Sequence, residues 1–236
     1  MKIFATAMAA ATILVGGQAQ ANFVVNGSFE DDEFGDGSEV LGNTNDGDGA
    51  QALSDLRKGD FSGGNNWEVF SVIPGWTTTS PGIELQTEAT LGYVDVPDGD
   101  VYAELDSHPK PSNSSISQTI ELAAGDYLFS FWYAPRVGNT ATDGIAYSLA
   151  PGVIDPAVVV NGDGFQPGEW SQVSQSFSLT DPLTTLVLTF EAVGNEDTLG
   201  GFIDDVQLVA TPLPGAAAFL LSGIAGLGLA RRRRAA

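Results

Sequence analysis

The chain has 236 residues, with 30 acidic against nine basic side chains and no cysteine. Without cysteine, disulfides and cysteine-ligated zinc sites are excluded. The formal net charge of −21 excludes nucleic acid as a partner, because binding it requires a basic footprint.

The N-terminus has the three parts of a secretory signal peptide. Lys2 supplies a positive charge, residues 3–17 are apolar or small, and Ala19 and Ala21 form the small-x-small pattern of a cleavage site. We therefore predict a signal peptide over residues 1–21 and export through the inner membrane. Residues 22–210 hold all 30 acidic residues but only four basic ones, a net charge of −26.

Residues 31–64 differ in composition from the rest of the exported part. Gly, Asp, Asn and Ser crowd this segment, and apolar residues are few. Such a composition is typical of a long surface loop and is equally consistent with disorder. We predict a loop region with local turns and room for a short helix near residues 50–58.

Strand patterns dominate after residue 65. The clearest lies at 126–133, where Tyr127, Phe129, Phe131 and Tyr133 recur with a period of two. Comparable runs rich in β-branched and aromatic residues, bounded by turn residues, are 116–122, 170–179, 183–192 and 202–209. Short strands at this spacing predict one all-β domain over residues 22–210, an antiparallel β-sandwich of jelly-roll type.

Two motifs at the ends of this region carry a family resemblance. The exported part opens with Asn-Gly-Ser-Phe-Glu at 26–30, and its last strand carries Ile-Asp-Asp-Val at 203–206. This pairing resembles the galactose-binding-like jelly rolls, a group with many carbohydrate-binding modules, in which the first and last strands lie side by side.

That resemblance implies a structural Ca²⁺ site formed by Glu30 with Asp204 or Asp205. Calcium binds six to eight oxygen ligands, and converging carboxylates with backbone carbonyls supply them. The alternative is that Glu30 is solvated and that the two aspartates cap a turn.

Five short motifs occur in a fixed order in the middle of the chain. They are Ile-Pro-Gly-Trp at 73–76, Gly-Ile-Glu at 82–84, Ala-Glu-Leu-Asp-Ser at 103–107, Ser-Gln-Thr at 117–119 and Tyr-Ala-Pro-Arg at 133–136. Together they resemble the jelly-roll module that often precedes exosortase-type tails in bacterial surface proteins. No general activity is attached to that module, so the resemblance implies fold and location rather than function.

Arg136 is the only arginine after Arg57 in the exported part. In so acidic a chain we expect it to pair with Glu104 or Asp106. Two interpretations stay open at this point. Either a buried ion pair fixes the register of facing strands, or the arginine belongs to a polar site that hydrogen-bonds sugar hydroxyls.

Under the second interpretation, polar side chains combine with aromatic rings that stack on the C–H faces of sugars. The candidate ligand-binding residues are then Trp76, Glu84, Glu104, Asp106, Trp132 and Arg136. Since most aromatic residues of a β-sandwich belong to its core, each of these tryptophans can equally be a core residue.

The sequence carries no motif of a catalytic site. His108, the only histidine, lies in a proline-bearing loop, and there is no Gly-x-Ser-x-Gly, His-Glu-x-x-His or phosphate-binding glycine loop. A glycosidase needs two carboxylates, but 30 acidic residues supply such a pair by chance. We predict a protein that is not an enzyme.

The last 26 residues form a tail of three parts. Thr-Pro-Leu-Pro-Gly at 211–215 precedes an apolar run over 216–230. This arrangement resembles the bacterial PEP-CTERM sorting tails that exosortases process, in the variant built around Val-Pro-Leu-Pro-Ala. The resemblance implies an exosortase-type enzyme as partner. The processing motif is Pro212, Leu213, Pro214 and Gly215, and the basic stop is Arg231, Arg232, Arg233 and Arg234.

Residues 213–230 predict a short transmembrane helix. At 1.5 Å per residue they extend about 27 Å, slightly less than a bilayer core of about 30 Å. The arginines stay cytoplasmic by the positive-inside rule. A weakly hydrophobic span of this length predicts transient anchoring in the inner membrane, followed by delivery to the cell surface or the extracellular space.

Taken together, these patterns predict an exported, non-catalytic surface or matrix protein associated with exopolysaccharide. Carbohydrate binding is one expected role. A purely structural coat or biofilm component without a ligand site is the alternative.

Overall fold

The computed structural model describes residues 21–31, 66–79, 82–108 and 110–211. Three predicted segments lie outside these residues: the signal peptide up to residue 20, nearly all of the Gly- and Asp-rich segment 31–64, and the tail from Pro212 with its predicted transmembrane helix. Within the described residues, no helix is both long and apolar enough to cross a membrane.

The described residues form eleven strands and one helix of four residues, α1 (Glu88–Leu91) between β3 and β4. The strands are β1 (Trp67–Phe70), β2 (Thr77–Thr78), β3 (Ile83–Thr87), β4 (Val101–Glu104), β5 (Ser115–Leu122), β6 (Gly125–Ala134), β7 (Gly144–Ala150), β8 (Ile154–Val160), β9 (Ser171–Leu179), β10 (Thr184–Val193) and β11 (Phe202–Ala210). The five strands predicted from alternation are confirmed to within one residue at each end.

The strands form two antiparallel sheets. The first has the order β1-β3-β4-β11-β6-β9, and the second has the order β2-β5-β10-β7-β8. The chain crosses repeatedly between them, since β5, β7 and β10 belong to the second sheet while β4, β6, β9 and β11 belong to the first. This connectivity confirms the predicted antiparallel β-sandwich and is typical of a jelly roll.

Aromatic side chains from both sheets fill the space between them. Phe129 and Phe131 point inward from β6 and are fully buried. The Phe131 ring lies 4.9 Å from Phe190 of β10 and 5.0 Å from Tyr147 of β7, both in edge-to-face geometry. The period of two in β6 therefore marks the core face, because successive strand side chains point to opposite faces.

The N-terminal segment lies against β11, as the family resemblance implied. Asn22 forms an antiparallel bridge with Val209, and its side chain bonds the backbone of Val206 and Leu208. Gly27 approaches Val206 so closely that a Cβ at this position would lie 2.1 Å from the Val206 carbonyl oxygen. The N-terminal segment thus pairs with β11 through this one bridge and then continues as a series of turns.

The face of the six-stranded sheet that points away from the core is called here the outer face. Helix α1 and the turn after it cover part of it, where Val94 is fully buried against Tyr102, Ala134 and Phe202. Next to Phe202 and Tyr102 lies Trp170, which precedes β9. The outer face thus combines covered and open regions, and it carries most of the predicted site residues.

Candidate functional site

A network of polar side chains crosses the outer face from β3 to β4. Glu84 and Glu104 are register partners on these strands, and the side chain of Gln86 lies between them. Its Nε2 donates to Glu84 Oε1 at 2.6 Å and also to Glu104 Oε2, while its Oε1 accepts from the Tyr102 hydroxyl at 2.9 Å. None of these four side chains is more than 1% exposed.

Each end of this network carries a basic or titratable group. Arg136, just beyond β6, donates from Nη1 to both Glu104 oxygens at 2.8 and 2.6 Å and to the Thr198 carbonyl at 2.9 Å. At the other end, His108 Nδ1 lies 3.1 Å from Glu84 Oε2. The His108 ring also packs against Trp67, with ring centroids 4.9 Å apart.

The electrostatics of the network centre on Glu104. Burial raises the pKa of Glu104 well above its usual value, the Glu84 carboxylate raises it further, and Arg136 opposes both. A buried carboxylate is costly unless it is paired. Arg136 therefore supplies the charge that makes ionisation of Glu104 inside the protein less costly.

The expected pairing of Arg136 with Glu104 is present. Its expected geometry was wrong, however, because the pair does not join facing strands. Glu104 lies in β4 and Arg136 directly beyond β6, and these strands flank β11 in the same sheet. The pair therefore links two strands of one sheet that are separated by β11.

Asp106 lies apart from this network. It is fully buried beyond the end of β4. Its Oδ2 accepts the backbone N–H groups of Asp197 at 3.3 Å and Leu199 at 3.2 Å. The structure thus brings Glu84, Glu104 and Arg136 together, whereas the Asp106 side chain bonds the loop before β11.

Trp76 is a core residue, one of the two roles that the sequence left open. It is only 6% exposed. Its Nε1 donates to the Asn26 carbonyl at 3.0 Å, and its ring packs against Phe29 and Phe190. No face of this indole is available to a ligand.

Trp132 has the opposite environment, on the open part of the outer face. Its side chain is half-buried and makes no hydrogen bond or ring contact with any described residue. In register beside it are Gln172 of β9 and the fully buried Asp204 of β11. At the next outward position lies Ser130 of β6, whose partners are Ser174 of β9 and Gln207 of β11. We call Trp132, Gln172, Ser130, Ser174 and Gln207 the Trp132 platform. Gln172 and Ser174 are exposed, so the platform reaches the surface.

Two of the three predicted metal ligands meet at one loop. Glu30 Oε1 accepts the backbone N–H of Asp100 at 2.6 Å and of Val101 at 2.8 Å. Asp204 Oδ2 accepts the N–H of Asp98 at 3.0 Å. The two carboxylates, separated by more than 170 positions in sequence, thus hold the same loop at 98–101.

Asp204 and its neighbour Asp205 differ in environment. Burial raises the pKa of Asp204 to about 8, although the N–H groups of Asp98 and Asp205 lower it. Asp205 is half-buried and accepts a bond from Gln207 Nε2 at 2.6 Å. Among the described residues, no three His, Asp or Glu side chains are grouped to hold a metal ion.

A cleft of about 230 Å³ opens between β8 and β9. Val159 and Phe165 line it, with Asn161 and Asp163 beside them. Its position at the sandwich edge separates it from the Trp132 platform. It is therefore a concave surface, separate from the platform, that offers room for a ligand.

Comparisons with known proteins bear on the fold. No protein-family model matches the chain, and no curated protein matches it in sequence. Among solved structures, it is similar to TmCBM61 in complex with β-1,4-galactotriose, with 19% identity over 58% of this chain and 90% of that one, at a TM-score of 0.41. It is also similar to a family 35 carbohydrate binding module from Clostridium thermocellum (15% identity, 58% and 92% covered, TM-score 0.39).

A third similar structure is a cyclase from Fischerella sp. TAU. Identity is 14% over 67% of this chain and 94% of that one, with a TM-score of 0.47. These comparisons concern shape, and the identities are too low to transfer a ligand or an activity.

Sequence reasoning missed the middle of the polar network. Gln86, Tyr102 and the contact of His108 with Glu84 were not foreseen. The signal was present in β3 and β4, where polar residues occupy alternate positions of otherwise apolar runs. Such alternation ordinarily indicates a solvated face, whereas here the face is covered.

Replacing Arg136 by Met should destabilise the protein by about 3–5 kcal/mol, because it leaves the Glu104 carboxylate buried without a cation. Burial raises the pKa of Glu104, so folding favours its protonated form. The loss should therefore be larger at about pH 8 than at about pH 5, where protonation relieves the buried charge. Urea denaturation at both pH values measures the difference.

The control is the double variant Glu104→Gln with Arg136→Met, which removes both charges. It should recover part of the lost stability, since no uncompensated ion remains. Equal losses in the single and double variants at both pH values would contradict the assigned role of the pair.

Proposed function

We propose that this protein is an exported, non-catalytic surface or matrix component that binds polysaccharide through the Trp132 platform. The observation that carries the proposal is a partly exposed indole that makes no hydrogen bond or ring contact with the described residues, on a sheet face where the exposed neighbours Gln172 and Ser174 offer neutral amide and hydroxyl groups. Sugars present C–H faces that pack on aromatic rings and hydroxyl groups that exchange hydrogen bonds with such side chains.

The platform fits an extended chain better than a small enclosed ligand. Ser130, Trp132, Gln172 and Ser174 lie on adjacent strands at successive outward positions. A sheet face of this kind is flat, and its groups repeat along β6 and β9. A polymer can lie across it and contact several sugar units.

The negative charge of the protein limits which polysaccharides it can bind. The exported part carries 30 acidic residues against four basic ones, so an acidic polysaccharide is repelled. The platform residues themselves are uncharged. We infer that its ligand is a neutral polysaccharide.

The buried carboxylates support a non-catalytic role. A glycosidase places one carboxylic acid next to the glycosidic oxygen and a second on the other side of the bond. Glu84 is 1% exposed and Glu104 is 0% exposed. Neither can approach a substrate bond, although the pair is close together and the pKa of Glu104 is raised.

Replacing Trp132 by Ala should abolish retention of the protein by neutral polysaccharides in affinity electrophoresis, because the stacking surface is lost. A panel of β-glucans, galactans and xylans is the probe. Phe165→Ala is the matched control, since Phe165 is also a partly exposed aromatic residue but lies in the cleft between β8 and β9. It should leave retention unchanged.

Loss of retention in Phe165→Ala but not in Trp132→Ala would move the site to the cleft. If none of the polymers retains the parent protein, the result favours the alternative of a purely structural component without a ligand site. Release of reducing sugar during the same incubations would contradict the non-catalytic role.

We also propose that Glu30 and Asp204 hold a structural Ca²⁺ ion at the loop 98–101. Asp204 is fully buried, and its oxygens accept only the N–H groups of Asp98 and Asp205 among the described residues. A hard divalent cation supplies the positive charge that this carboxylate lacks, and carboxylate oxygens are its preferred ligands. The ion would tie the N-terminal segment to β11.

Calcium should raise the melting temperature of the parent protein relative to chelator, because it binds only the folded state. Asp204→Asn should lose most of this shift. Asp205→Asn is the matched control, since its backbone has φ of 46°, which asparagine tolerates. An equal calcium response in the parent and in Asp204→Asn would refute the assignment.

We further propose that export and sorting follow the two ends of the chain. Residues 1–21 are removed as a signal peptide, and an exosortase-type enzyme processes the tail at Pro212–Gly215 after transient anchoring. The support is the sequence of these segments. Mass spectrometry of the surface-exposed protein should find a C-terminus near Pro214. Surface protein that still carries Arg231–Arg234 would refute this proposal.

A further inference from the structure

The loop before β11 is built closely around the Asp106 side chain. The N–H groups of Asp197 and Leu199 donate to Asp106 Oδ2. Gly200 packs on the other side, where an added Cβ would lie 2.4 Å from Asp106 Cβ. Thr198 between them has φ of 66°, a conformation uncommon for β-branched residues. The loop thus encloses a carboxylate.

Three oxygen atoms at this place are buried and make no hydrogen bond of standard geometry with any described residue: Asp106 Oδ1, Asp197 Oδ1 and Ser112 Oγ. Asp106 and Ser112 are themselves fully buried. The second oxygen of each carboxylate is occupied, since Asp197 Oδ2 accepts from the Thr142 hydroxyl at 3.0 Å.

The side chains of Ser112 and Asp197 both interact with the Asp106 carboxyl group. Burial raises the pKa of Asp106, hydrogen bonding by the Ser112 hydroxyl and by the N–H groups of Leu199 and Asp197 lowers it, and hydrogen bonding to the Asp197 side chain raises it again. Both Ser112 and Asp197 therefore lie close to the Asp106 carboxyl group. Among the described residues, neither carboxylate pairs with a basic side chain. The Arg136 guanidinium instead donates hydrogen bonds from Nη1 to the Glu104 carboxylate and to the Thr198 carbonyl.

Buried polar atoms without a well-formed hydrogen bond destabilise a folded protein, so they are rare. A water molecule can donate to the two carboxylates but leaves their negative charges in place. A divalent cation neutralises both carboxylates and can take all three oxygens as ligands. Carboxylate oxygens are among the ligands that calcium prefers.

We propose that Asp106, Asp197 and Ser112 form a binding site for a divalent, oxygen-preferring cation, with Ca²⁺ as the best match. The site is separate from Glu30 and Asp204. Its ion clamps the loop before β11 onto the end of β4. That same loop presents the Thr198 carbonyl to Arg136, so the cation also supports the polar network on the outer face.

Calorimetric titration of Ca²⁺ into the chelator-stripped protein tests the site through differences in stoichiometry. Asp197→Asn should bind one equivalent fewer than the parent, because it removes one of two carboxylate ligands. Ser112→Ala removes only the hydroxyl and should weaken that binding step without abolishing it. Glu196→Gln is the matched control, since Glu196 is an exposed carboxylate next to Asp197. It should bind as the parent does.

Asp204→Asn distinguishes this site from the one proposed at the loop 98–101. It should retain the equivalent that Asp197→Asn loses, and the double variant should lack both. Circular dichroism and the melting temperature verify that each variant is folded. Unchanged stoichiometry in folded Asp197→Asn, or an equal loss in Glu196→Gln, would overturn the proposal. So would the absence of any bound equivalent in Asp204→Asn.

Discussion

The buried ion pair between Arg136 and Glu104 is the interaction on which the outer face depends. Residues 22–210 carry 30 acidic residues and four basic ones, so every carboxylate that is buried needs its own compensation. Arg136 provides it for Glu104 and also binds the Thr198 carbonyl. It thereby connects β4, the end of β6 and the loop before β11. Gln86 extends the network to Glu84 by donating to both glutamates.

Backbone N–H groups also stabilise buried carboxylates that have no basic side chain beside them. Asp143 accepts N–H bonds from Arg136 at 2.9 Å, Val137 at 3.1 Å and Asn139 at 2.6 Å. Asp204 and Asp106 follow the same rule at two other loops. Each of these carboxylates satisfies donors that a loop would otherwise leave unpaired. A domain without cysteine thus orders its long connections through acidic side chains.

Acidic and aromatic residues have different roles on this sheet face. The glutamates of the network are enclosed, and they contribute to structure rather than to ligand contact. The exposed residues next to Trp132, Gln172 and Ser174, are uncharged instead. A strongly acidic protein can bind a neutral polymer in this way, because its charges keep it soluble while the binding surface itself needs no desolvation of ions.

The sequence by itself determined the fold class, the five main strands and the partnership of Arg136 with an acidic residue, because a period of two and a lone cation in an acidic chain are local signals. It also placed Glu30 near Asp204, through a family resemblance. Only the tertiary structure decided that Trp76 lies in the core and that the Trp132 side chain is partly exposed. It also decided that Asp106 bonds the loop before β11 rather than Arg136. The physical reason is that alternation shows which residues share a face of a strand. It does not show which strands become neighbours, or which part of the sheet another segment covers.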